Sequence, residues 1–106
     1  MSNDPSLVGN GDLGEVVRHM VADVLMVPIE RVDPDSRLVA DLGAESIDFL
    51  DLIFRLETHL GTNIPPDRWG EFVEERLPGA DLTTKITTSI VHEFATREAD
   101  RESGNP

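Results

Sequence analysis

Ser46 is the residue whose type and setting most invite chemistry. It stands in the run Gly43-Ala44-Glu45-Ser46-Ile47-Asp48, where a glycine lets the chain turn sharply and a serine opens an apolar helix. A nucleophilic serine of the G-x-S-x-G kind needs a glycine two residues to either side, and those places hold Ala44 and Asp48. No neighbouring histidine supplies a base. The ordinary role of a helix-opening hydroxyl is to cap the helix. It is also a fitting place for a phosphate ester, because the first turn offers free amides and the positive end of the helix dipole. Glu45, Asp48 and Asp51 surround it with negative charge, which repels a free regulatory phosphate. The chemistry that suits the position is an ester delivered by a separate, basic enzyme.

The other candidate constellations fail on spacing. His19, His59 and His92 fall on three different helices, none with the i, i+4 histidine partner of a helical metal site, so no metal is expected. Asp33, Asp35, Asp41 and Glu45 suggest a calcium loop, but counting from Asp33 puts Leu38 where the loop needs glycine and Ala44 where it needs its bidentate glutamate. Cysteine is absent, which excludes disulfides, cysteine-bound zinc and a cysteine nucleophile; any thiol chemistry must come from something attached.

The chain has 106 residues, with 9 Lys+Arg against 21 Asp+Glu and a formal charge of −12. That balance argues against nucleic acid and anionic membranes, whose phosphates demand clustered cations. It suits solubility and attraction to basic patches on other proteins. A hydrophobic fraction of 39% builds a modest core but not an enzyme that encloses a large substrate. Met1 to Gly11 lacks the basic-then-apolar order of a secretory signal, and no apolar run reaches membrane-spanning length, so a cytoplasmic location is expected.

Four helices must position Ser46. Residues 1–11 read as a flexible lead-in. Asp12, three residues before Glu15, opens a first helix whose Leu13, Val16, Val17, Met20, Val21, Val24 and Leu25 form one apolar stripe, ended by Pro28. A long connection follows to Glu45, with Val32, Leu38 and Leu42 as its buried anchors. The second helix runs from about Ser46 to Leu60 and stops at Gly61. Leu50, Ile53, Leu56 and Leu60 make its core stripe, yet Ile47, Phe49, Leu52 and Phe54 are apolar too. Either this helix is central in the bundle, or some of Ile47, Phe49 and Phe54 face another protein. Pro65-Pro66 starts a third helix with Trp69, Phe72, Val73 and Leu77 inward, ended by Pro78-Gly79. The fourth starts near Thr87 or Thr88 and uses Ile90, Val91, Phe94 and Ala95, with residues 98–106 expected as a fraying tail. The expected fold is all-α, a bundle of three longer helices and one shorter, with a domain over residues 12–97.

Asp41-Leu42-Gly43-Ala44-Glu45-Ser46-Ile47-Asp48 resembles the phosphopantetheine attachment motif of the acyl carrier proteins, D-L-G-x-D-S-L-D, with Glu45 for Asp and Ile47 for Leu. The likeness extends from about Leu13 to Phe94 through the first loop, Leu60-Gly61, Ile64-Pro65 and Lys85-Ile86-Thr87-Thr88. It implies that Ser46 receives 4′-phosphopantetheine from coenzyme A, in the site of a separate transferase that uses magnesium. The arm's thiol then holds acyl groups as thioesters for fatty-acid, lipid or polyketide enzymes. Ile47 and Phe54 match exposed, partner-inserting positions, and Asp41, Glu45, Asp48 and Asp51 look like the acidic rim that meets basic docking patches on ketosynthase- or acyltransferase-type partners. The chain itself is then a carrier and not an enzyme, and a monomer. A peptidyl carrier fits less well, since Ala44-Glu45 replaces the usual glycine followed by Asp or His; a plain helical interaction module leaves Ser46 as a cap.

Arg55, Thr58 and His59 depart from the family's acidic second helix, and the segment from Ile64 through Asp81 is longer than usual, similar to specialised stand-alone carriers. That added length leaves two readings of the interior: an acyl-chain slot lined by Leu50, Ile53, Leu56 and Trp69, or an enlarged core that Trp69 fills.

Overall fold

The computed structural model describes residues 13–79 and 81–103. Residues 1–12, including the expected lead-in and the Asp12 cap, lie outside the described residues, as do 104–106. Helices α1 (Leu13–Leu25), α2 (Ser46–Leu60), α3 (Pro66–Arg76), α4 (Leu82–Lys85) and α5 (Thr88–Ser103) follow one another, with a 3-10 turn at Ile29–Arg31. The expected all-α bundle is what forms. α4, a single turn, was not foreseen in the polar stretch after Gly79.

α1 buries Leu13, Val17, Val21 and Ala22 and packs against both α5 and α2. It ends at Leu25, earlier than Pro28, because Met26 takes a left-handed φ of 58°. Val27 N–H then reaches the Ala22 carbonyl at 3.0 Å and Met26 N–H the Asp23 carbonyl at 3.3 Å, a Schellman closure with methionine where glycine is usual. At the far end of α2, Gly61 takes the same conformation with φ 68°.

The connection from α1 to α2 is long but tethered. Val32, Leu38 and Leu42 are buried as anchors, and Arg18 donates to the carbonyls of Val32 (2.8 Å) and Ile29 (3.1 Å). Leu38 N–H bonds the Ile86 carbonyl at 3.0 Å, beside an antiparallel bridge between Arg37 and Thr87.

Two expectations are corrected. Leu52, not Leu50, completes the buried stripe of α2 with Ile53 and Leu56; Leu50 is 51% exposed. At 100° per residue, Phe49, Leu52, Ile53, Leu56 and Leu60 share one face, and Ile47, Leu50 and Phe54 another. The last helix does not fray after Arg97 but continues to Ser103, because Glu98 is buried and holds Arg68 of α3 at 3.0 Å. Arg76–Glu93 at 2.8 Å and Arg97–Glu75 at 3.0 Å add two more links between the same helices, and Arg97 lies over the Phe72 ring at 5.1 Å.

Candidate functional site around Ser46

The chain approaches Ser46 through a turn whose ends are fastened. Leu38 accepts the Ala44 N–H at 2.9 Å while its own N–H is held by Ile86, and the Arg37 carbonyl accepts from Asp41 (2.8 Å) and Leu42 (3.2 Å). Gly43 permits the reversal with φ +78°, as the sequence requires. Buried Ala44 then fixes the residue two before Ser46, and extended Glu45 leads into the helix.

Ser46 is the first helical residue and is exposed. The cap belongs to its neighbours. Asp48 Oδ2 accepts the Glu45 N–H at 2.8 Å, the reciprocal half of a capping box, and Asp48 N–H bonds the Glu45 carbonyl at 2.9 Å. The Ser46 hydroxyl has no hydrogen-bond partner among the described residues. It therefore points to no structural duty, stands in the open, and sits where first-turn amides lack intrahelical acceptors.

The four acids expected around it differ in their engagements. Asp41 is clamped: its Oδ2 accepts Arg37 N–H at 2.9 Å and Arg37 Nε at 3.1 Å, and its Oδ1 accepts Nη2 at 2.9 Å. Those bonds hold the Asp41 carboxyl below its ordinary value and raise the Arg37 guanidinium. Asp48 serves the cap, and Asp51 pairs with Arg55 at 3.3 Å, which in turn reaches Asp23 at 3.7 Å. Glu45 has no ion-pair partner among the described residues. Arg37 was missed from the sequence, although an Arg-x-x-x-Asp spacing beside the motif was there to be read.

Ile47 and Phe54 are 67% and 66% exposed, and with Leu50 they form an apolar stripe leading away from Ser46 along α2. A groove beside it is lined by Ile53, Glu57, Ile64 and Pro66. On the opposite face of α2, Phe49 stacks on Trp69, which meets Phe94 edge-on at 5.2 Å. Trp69, Ile53 and Leu56 do line the interior, together with Val17, Met20 and Phe94, but Leu50 does not. The space they leave is about 10 Å³, room for one water at most.

A family model described as "Phosphopantetheine attachment site" matches residues 15–68, about half of the chain. This chain belongs to that family, as an acyl carrier protein. The acyl carrier protein AcpXL of Mesorhizobium japonicum is 31% identical over 65 residues, 61% of this chain and 70% of that protein. AcpXL of Rhizobium meliloti is 34% identical over 59 residues, 56% of this chain and 62% of its own length, so that match spans less than two thirds of the relative. An acyl carrier protein of Treponema denticola is 34% identical over 61 residues, 58% of this chain and 78% of its own. The carrier's cofactor is a covalently attached 4′-phosphopantetheine, and such a domain works with a phosphopantetheinyl transferase and acyl-handling enzymes. Among the described residues no helix is long and apolar enough to cross a membrane.

Proposed function

We propose that Ser46 is the residue that bears the arm. The supporting observation is its idle hydroxyl: exposed, at the first position of α2, with the cap supplied by Glu45 and Asp48. When bound, 4′-phosphopantetheine supplies the thiol that this cysteine-free chain lacks. The chain's own residues present the hydroxyl, orient the first turn and offer a docking face. That face is the stripe of Ile47, Leu50 and Phe54 with Glu45, Asp48 and Asp51 along it, meeting basic, apolar-pocketed surfaces on partner enzymes.

In this reading the polypeptide performs no catalysis of its own, works as a cytoplasmic monomer and carries acyl intermediates of fatty-acid, lipid or polyketide synthesis. The carrier domain spans residues 12–97, with the rest of α5 secured to it through Glu98. Intact mass after incubation with coenzyme A, magnesium and a broad-specificity transferase tests the assignment. Wild type gains one phosphopantetheine and Ser46→Ala gains none; loading of the Ser46→Ala protein, or none of wild type with several transferases, overturns it.

A further inference from the structure

Asp41 is expected from its place in the motif to be one of the acids that meet partner enzymes, but its geometry is wrong for that work. Both carboxylate oxygens are taken by Arg37, through the backbone N–H and two guanidinium nitrogens at 2.9 to 3.1 Å, so its charge is answered within the chain. Arg31 Nη2 also grips the Asp41 carbonyl at 3.1 Å. The clamp closes the base of a turn whose two ends are Leu38 and Ala44, themselves bonded at 2.9 Å, and Leu38 is tied to the Ile86 strand-like approach to α5. Ala44 is buried and lies two residues from Ser46.

We infer that Arg37 and Asp41 are a positioning pair: they hold the 37–44 turn in one conformation so that Ser46 is presented to the enzyme that modifies it. The inference rests on Ser46 being the attachment residue. Neither side chain touches the reacting hydroxyl; both act through the Leu38–Ala44 bond. With the clamp released, the turn around Gly43 samples other conformations, since a glycine with open space about it offers little resistance of its own. Productive encounters fall without any loss of docking charge.

A docking acid and a clamp predict opposite signs for Arg37→Gln. Removing that cation makes the rim more negative, so a docking Asp41 would load faster in Arg37→Gln and slower in Asp41→Asn, with independent effects in the double variant. A clamp predicts that both singles lose about tenfold in kcat for transferase loading, the cost of a misplaced nucleophile. KM for the carrier stays near wild type, and the double variant is no worse than either single. Arg37→Lys, which keeps the charge and one contact, recovers part of the rate. Amide exchange gives the second readout: Ala44 and Gly43 exchange faster in each variant while Leu56 is unchanged.

Loading of all variants at the wild-type rate, or opposite signs for the two singles, overturns the pair, as does a global loss of protection that includes Leu56. Absence of wild-type loading at Ser46 instead overturns the attachment assignment, and the two failures are thereby distinct.

Discussion

The Phe49 ring on α2 and the Trp69 ring on α3 are stacked with centroids 5.7 Å apart and planes 16° from parallel. Among the described residues no ion pair joins these two helices, whereas three join α3 to α5. The chain's one tryptophan therefore reports on the α2–α3 seam. Behind it the interior has space for one water, too little for a hydrocarbon chain. Trp69 emission is expected to be the same in the holo protein and in the long-acyl protein. Phe49→Leu shifts it to the red and lowers stability by about 1 kcal/mol, the worth of an aromatic pair, measured by urea unfolding. A change in emission on acylation alone contradicts the closed interior.

The division of labour at the start of α2 gives a second test. Asp48→Ala removes the carboxylate that holds the Glu45 N–H and costs about 1 kcal/mol. Ser46→Ala removes a hydroxyl with no partner and stays within about 0.5 kcal/mol of wild type. Equal losses in denaturant melts contradict this assignment of the cap.

Glu98 and Glu93 both pair with arginines of α3, yet only Glu98 is shut away from water. Glu98→Ala leaves the Arg68 charge, itself mostly covered, without its partner and costs about 2 kcal/mol. Glu93→Ala breaks an exposed pair and costs about 0.5 kcal/mol or less. Thermal melts of the two variants side by side rank the pairs, and a larger loss at Glu93 reverses the argument.

The Arg37–Asp41 clamp carries a pH signature. The Asp41 carboxyl is held below its ordinary value of 3.8, chiefly by its hydrogen bonds to Arg37. Its contribution is fully present above that value and is lost as the pH falls through the lowered one. The Ala44 amide resonance should titrate with a midpoint under 3.8, and Asp41→Asn should abolish that titration. A midpoint at or above 3.8 removes the clamp's electrostatic basis.

On the proposed docking stripe, Phe54→Ala and Ile47→Ala truncate side chains two-thirds in water. Stability should move by less than about 0.5 kcal/mol. Transfer of acyl groups to a partner enzyme should fall about tenfold per variant, the scale of an interface anchor. Unchanged transfer kinetics for both would locate the docking face elsewhere.

Much of this fold could be read from residues in order. Gly61 ends α2, Pro65-Pro66 begins α3, Thr87 precedes α5, and Val32, Leu38 and Leu42 anchor the loop, because each rests on local backbone chemistry or an isolated apolar residue. The α2 helix resisted reading at Leu50 and Leu52 since two apolar stripes interleave on it with the same spacing, and only neighbours decide which faces inward. Glu98 looked like the start of a polar tail because its partner is thirty residues away. Arg37 escaped notice for a related reason: its value lies in a turn that no periodicity describes. The idle state of the Ser46 hydroxyl likewise depends on which neighbour takes the cap, and Glu45, Ser46 and Asp48 are all residue types that can serve one.

That idle hydroxyl separates two clocks. Folding of this chain should need nothing attached at position 46, since among the described residues no hydrogen bond passes through the Ser46 side chain. If Ser46 bears the arm, as proposed, the arm is added to a finished scaffold and the cap of the helix beneath it, supplied by Glu45 and Asp48, is left as it was. On that proposal, whether a folded copy is a working copy is decided by modification at position 46 and not by folding.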